Sequence, residues 1–238
     1  MNNTMIRTSA LAAVLAGGIA LAAGAAQDKL VLDGSTTVGP IAKAFAEHLM
    51  RQDPAINITV SESGSGNGAK ALLNGTCDIA TLSRHLKDAE KEAMEAKGIK
   101  PVAHVAAYDA LPVVVHPSNK VGDLTIEQIR DIYTGKIANW RDVGGFDKPI
   151  VVISRDTNSG TYETFAELVL GKDGKVAKTA EYAGSNGAIR QRVQKTEGAI
   201  GYVGIGFIDD TVKVVKVNGV APSVETALDK TYPINRDL

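Results

Sequence analysis

The sequence predicts an α/β fold with mainly parallel sheets and crossover helices. Two patterns predict it. Short apolar runs of strand type alternate with helical runs along the chain, and several strand ends lead into turns rich in glycine and hydroxyl residues that open helices. Composition agrees: 44% hydrophobic, 22% charged and 5% aromatic residues in a chain of 238 are globular values, not those of a disordered or collagen-like chain.

Taken in order, residues 29–32 are a short apolar strand. A helix is expected over 40–50, opened by Pro40, with Ile41, Phe45, His48 and Leu49 on one face. Ile56, Ile58 and Val60 alternate as a strand does. Residues 69–73 read as a short helix, 78–81 as a buried strand and 89–97 as a polar surface helix. Residues 102–115 form one β-type stretch of about twice the usual strand length. A helix over 124–133 carries a capping box from Thr125 and Gln128. A strand at 151–154 precedes a helix at 162–170. A helix at 188–195 precedes a glycine-containing strand at 199–207, and 212–217 is a further strand. No internal repeat or low-complexity run is present.

Several function classes are disfavoured. Lys plus Arg total 26 and Asp plus Glu 27, a net charge of -1, so there is no basic footprint for nucleic acid. The single cysteine, Cys77, makes neither an internal disulfide nor a Cys-rich zinc site. The four histidines (His48, His85, His104, His116) lie far apart without ligand-like spacing, so no metal and no cofactor is expected. Residues 1–26 have the order of a secretory signal: Arg7, an apolar run over 10–23, then small residues, with cleavage near Ala25 or Ala26. The apolar run is shorter than the roughly 20 residues that span a bilayer. The expectation is an exported, soluble monomer in a bacterial periplasm or exterior.

The informative turns are GSTTVGP (34–40), SESGSGNG (61–68) and RDTNSGT (155–161). Each follows a strand and opens a helix. In a parallel sheet such turns lie at the carboxyl edge, where ligands bind. Free N–H groups and the helix dipole suit an anion there. Any one of these turns alone reads more readily as an ordinary cap than as an anion site. Three together, with the planar guanidinium of Arg155, point to a tetrahedral anion. The glycines miss the spacing of nucleotide and dinucleotide loops, and no Gly-x-Ser-x-Gly elbow occurs.

GSTTVGPIAKAF, SGSGNG, LLNGTCDIATLSR, LTIEQIRDIYTGKIANWRDVGG, RDTNSGTYETF and GAIGYVG follow one another in this chain. In that order they resemble the periplasmic phosphate-binding proteins, the substrate-binding components of phosphate ABC transporters. The resemblance runs from about Leu30 to the end. It implies a two-lobed, type 2 periplasmic-binding-protein fold. Lobe one would take residues 27–110 plus 205–238 and lobe two 111–204, with crossings near Asp109 and at GAIGYVG. It implies inorganic phosphate and a membrane permease as partners, and no covalent chemistry. Carried over by position, the anion ligands would be Thr36, Thr37, Ser65, Arg155, Ser159, Gly160 and Thr161.

One departure bears on selectivity. Where the family places an aspartate to accept the proton of hydrogen phosphate, this chain has Ser83 followed by Arg84. Asp109 is the first candidate for the missing acceptor, with a hinge hydrogen bond as its alternative role. Glu62 and Asp156 are weaker candidates, and Asp156 could instead orient Arg155. Arg84 is either a second cation on the anion or a rim residue making salt bridges. Ser185 and Asn186 open a further helix and read as a cap. TYPINRDL (231–238) reads as the start of a strand that the family continues, which leaves either a truncated sequence or a shortened family ending. Two rival functions remain: a binder of sulfate, molybdate or tungstate, and a secreted phosphohydrolase. The second would need a metal cluster or an activated nucleophile, and no motif supplies one.

Overall fold

The computed structural model describes residues 29–238, so the expected export signal lies outside the described residues. The first third of the chain builds a small parallel sheet. β1 (Lys29–Gly34) leads into α1 (Gly39–Gln52), then β2 (Asn57–Ser61), α2 (Ser65–Leu73), β3 (Ile79–Thr81) and α3 (Asp88–Ala96). The strand order is β2-β1-β3, and both pairings are parallel, with Leu32 opposite Val60 on one side and Ile79 on the other. Parallel strands joined by helical crossovers place every strand-to-helix turn at one edge.

Next come β4 (Tyr108–Ala110), β5 (Val113–Val115), β6 (Asp123–Leu124), α4 (Ile126–Thr134), β7 (Val151–Arg155) and α5 (Gly160–Phe165). β8 (Glu181–Ala183), α6 (Asn186–Gln194), β9 (Ala199–Tyr202), β10 (Lys213–Val217), α7 (Val224–Leu228) and β11 (Asn235–Asp237) complete the chain. A six-stranded sheet runs β6-β10-β5-β9-β7-β8. It is mixed: β7 lies parallel to β8 and β9, and β10 parallel to β6, while β5 is antiparallel to β9 and β10. β4 and β11 pair antiparallel as a separate two-stranded ribbon; in the chain β4 follows the small sheet and β11 follows the large one.

Several expectations need correction. Residues 102–115 are not one strand. Only β4 and β5 are extended pairs, and Pro112, which has no N–H to give a ladder, separates them. The glycine-containing strand stops at Tyr202 and is followed by a 3₁₀ turn, Ile205–Phe207. β9 is an interior strand of the large sheet rather than a crossing. β10 also belongs to that sheet, so the chain returns at β11 and not near Ile205 as the expected division had it. The exposed side of α1 carries Phe45 and Leu49, whereas Gly39, Ala42 and Ala46 are buried. β3 is only partly buried, with Ile79 exposed.

The core sits around the large sheet. Along β5 the side chains alternate: Val113 and Val115 join one apolar cluster, Val114 the other. The first cluster contains Ile129, Ile132 and Tyr133 of α4, with Trp140, Phe165 and Val169. Phe165 stacks on Tyr202 with ring centroids 3.9 Å apart. The TGKIANW segment finds its reason here: Gly135 ends α4 at φ 83°, and buried Trp140 donates its indole N–H to Gly198 O at 2.8 Å. The second cluster packs Ile189 and Val193 of α6 on the opposite face. Glycine at position 201 allows that approach, because a Cβ there would lie 2.6 Å from Ile189 Cγ2.

Candidate functional site

Each of the three turns holds itself by local hydrogen bonds and leaves other groups free to point inward. In the first, Ser35 Oγ accepts from the N–H groups of Thr37 (3.1 Å) and Val38 (3.2 Å), at the start of α1. The hydroxyls of Thr36 and Thr37 are thereby left for tertiary contacts. In the second, Gly64 has φ 100° and α2 starts at Ser65, which is fully buried. In the third, Asp156 Oδ1 accepts from Asn158 N (3.0 Å), and Ser159 caps α5 by accepting from Tyr162 N (3.3 Å). α5 continues without a break into a π-helical turn, Ala166–Leu170.

The turns of the two sheets meet. Thr37 and Thr161 share a hydrogen bond between their hydroxyls at 2.9 Å, although 124 residues separate them. Arg155 Nη2 donates to Thr36 Oγ1 at 3.1 Å. Gly66 N donates to Asn158 O at 3.0 Å. Ser65 Oγ accepts from Ser83 N at 3.1 Å and pairs with Ser83 Oγ at 3.2 Å, directly beside Gly160.

Arg155 is 1% exposed, at the carboxyl end of β7. Its Nε donates to Ala183 O (3.1 Å) and its Nη2 to Gly184 O (2.9 Å), which fixes the plane of the guanidinium. Its Nη1 is buried and has no hydrogen-bond partner among the described residues. Burial pulls the pKa of this guanidinium below its usual value, and the nearby charge of Arg236 pulls in the same direction, while Asp156 opposes them through space. Behind it, Tyr202 accepts from Arg155 N (3.1 Å) and shares a hydrogen bond with Ser154 Oγ (3.0 Å). Burial pushes its phenol up to about 12, so it stands there as a neutral group at pH 7.

Two members of the cluster escaped sequence reasoning. Arg236 of β11 is buried and donates through Nη1 to Thr161 Oγ1 (2.9 Å) and Ser83 O (3.1 Å). The signal was present in TYPINRDL: Ile234 and Arg236 lie two apart, so a strand presents them to the same, buried, side. Asn186, read as part of a cap, is fully buried. It donates from Nδ2 to Thr37 Oγ1 (2.9 Å) and accepts from Gly204 N (3.2 Å), while its neighbour Ser185 makes the cap.

Thr36, Thr37, Ser65, Ser83, Asp109, Arg155, Ser159, Gly160 and Thr161 thus lie in one cluster, with Arg236 and Asn186 added. Arg84 does not join it. Its guanidinium is forked onto Glu90, with both oxygens at 2.8 Å, and its Nε lies 2.8 Å from Glu163. Glu62 is taken by Lys43 at 2.8 Å. Asp156 is occupied with its own turn and is not in hydrogen-bond contact with the Arg155 side chain. What the cluster offers is two buried guanidinia, a set of hydroxyls and helix-start amides, and one carboxylate, Asp109. Such a donor-rich arrangement suits a small oxyanion.

The chain is similar to known proteins over most of its length. The PBP superfamily domain matches residues 21–238. Protein SphX of Synechococcus elongatus is 37% identical over 96% of this chain and 72% of its own length. The phosphate-binding protein PstS of Staphylococcus saprophyticus is 34% identical over 99% of this chain and 76% of its own. Among solved structures, a phosphate ABC transporter substrate-binding protein of Clostridium perfringens with bound phosphate aligns with a TM-score of 0.82. It is 40% identical and the match covers 88% of this chain and 84% of that one. An ABC-type phosphate transport receptor of Vibrio cholerae aligns with a TM-score of 0.71 and 34% identity, over 87% of this chain and 84% of that one. The chain belongs to the PBP superfamily, in the group of phosphate-binding proteins to which these relatives belong.

Proposed function

We propose that this protein is the substrate-binding component of a phosphate ABC transporter. It takes up inorganic phosphate between its two sheets and hands it to a membrane permease. The observation that carries the reading is Arg155: a guanidinium 1% exposed, braced by two carbonyls, with one buried Nη that no described residue engages. A buried cation left partly unpaired is costly unless an anion completes it. The names of the relatives support phosphate as that anion.

Thr36, Thr37, Ser65, Ser159, Gly160 and Thr161 supply the remaining donors, from both sides of the cleft. The anion therefore bridges the two lobes, and the ribbon of β4 and β11 is the hinge about which they close. A micromolar complex needs about 8 kcal/mol. Charge-assisted hydrogen bonds contribute roughly 1.5–3 kcal/mol each, so several of them suffice after the cost of closure. Binding and release need no covalent step. Export by the N-terminal signal puts the protein where it meets phosphate, as a monomer.

Isothermal titration calorimetry of the purified protein with phosphate at neutral pH tests this. One site per chain with micromolar or tighter affinity is expected. No heat and no displacement of a labelled phosphate would overturn the reading.

A further inference from the structure

Glu163 of α5 meets two cations that belong to the other lobe. Its Oε2 lies 2.8 Å from Arg84 Nε and 2.9 Å from Lys87 Nζ. Arg84 and Lys87 stand in the segment between β3 and α3, on the side of the small sheet, whereas α5 follows β7 of the large sheet. The contact is sheltered: the side chains of Arg84 and Glu163 are 7% and 16% exposed. It also adjoins the cluster of turns. Arg84 directly follows Ser83, and Glu163 lies two residues after Thr161. Beside it Thr164 Oγ1 donates to Ser83 O at 3.3 Å, a hydrogen bond that likewise joins the lobes. A movement that brings residues 159–161 to the other lobe therefore brings Glu163 to its cations.

The guanidinium of Arg84 is already oriented for this contact. Glu90 of α3 takes Nη1 and Nη2 on its two oxygens at 2.8 Å each, and Nη1 also donates to His85 O at 2.8 Å. That fork leaves Nε on the edge turned to Glu163. With the lobes apart, Arg84 keeps Glu90 as its counter-ion and Glu163 returns to water. Parting strands no buried charge, so the contact can form and break. In place, a sheltered carboxylate shared by two cations is held more strongly than an exposed pair.

Charge alone gives the opposite expectation. A carboxylate close to the 159–161 turn repels an anion bound there, so removing its charge would tighten binding. A carboxylate that holds the lobes together loosens binding when removed. The two roles differ in sign.

We propose that Glu163 is a latch: lying outside the anion cluster, it pairs with Arg84 and Lys87 only when the lobes meet, holds them shut and slows the release of phosphate. The proposal rests on the phosphate-binding reading and adds to it the groups that set the lifetime of the complex.

The test is calorimetry with inorganic phosphate, together with the rates of uptake and of chase of labelled phosphate, on the wild type, Glu163→Gln and Glu167→Gln. Glu167 is exposed one turn further along, and its variant removes the same charge. In Glu163→Gln the dissociation constant rises at least fivefold, and release quickens by the same factor while the association rate stays within twofold. In Glu167→Gln all three stay within twofold of wild type. Unchanged or tighter binding in Glu163→Gln overturns the proposal and leaves the phosphate reading intact, as does a loss confined to the association rate. Should Glu163→Gln not fold, Lys87→Met decides, at a side chain that is 56% exposed. Release at least threefold faster at an unchanged association rate supports the latch, and an unchanged release rate overturns it. Failure of the wild type to bind phosphate removes the phosphate reading, and the proposal falls with it.

Discussion

Arg155→Ala is expected to weaken phosphate binding by about three orders of magnitude or more. The guanidinium presents charge-assisted donors to the anion, each contributing roughly 1.5–3 kcal/mol, and two lost together already exceed a factor of 10². Alanine also removes the guanidinium at the carboxyl end of β7, which faces Thr36 of the other lobe. Arg155→Lys should recover only a small part of the affinity, because an ammonium cannot brace on Ala183 O and Gly184 O and still present a fork. Calorimetry measures the loss. Urea unfolding of the same samples separates it from damage to the fold, since the freed carbonyls of residues 183 and 184 cost stability as well.

Gly160→Ala is expected to weaken binding by about 100-fold or more while leaving stability nearly unchanged. Position 160 is the first residue of α5, and its backbone lies against residues of the other lobe. A Cβ there would sit 2.5 Å from Ser65 Oγ, 2.6 Å from Ser83 Oγ and 3.0 Å from Ser65 Cβ. A carbon cannot approach a hydroxyl so closely, and Ser65 is held by Ser83 N. Alanine suits a helix better than glycine does, so the lobe that carries it folds at least as well. The added methyl acts only when the lobes meet. Affinity within threefold of wild type, read by the same titration, would mean that the lobes do not close on each other at this point.

Much of this was legible before any coordinates. The three turns could be read because glycine, serine and threonine at a strand-to-helix junction have few reasons to cluster other than capping and anion binding. The helix bounds were mostly readable for the same reason: Thr125 and Gln128 do form their capping box. What could not be read were properties set by tertiary neighbours. The buried side of α1 is its small-residue side, Gly39, Ala42 and Ala46, because a helix lying close on a sheet presents small residues to it. Hydrophobic periodicity alone chose Phe45 and Leu49 instead. Residues 102–115 looked continuous since β-type residues run through Pro112, yet the chain changes sheets there. Asp109 was visible as a carboxylate near the site, but its partner lies 127 residues away in β11, and only the strand register brings the two together. Arg84 shows the converse: adjacent to Ser83 in sequence, it turns outward to Glu90 and Glu163.

The most direct test of the central claim is a crystal structure of the protein grown with phosphate. Phosphate should lie where the three turns converge, with Arg155 Nη1 within hydrogen-bond distance of one oxygen and the residue 159–161 turn and Thr36–Thr37 on opposite sides of it. Phosphate bound at any other place, or lodged in the cleft without contact to Arg155, would contradict the account.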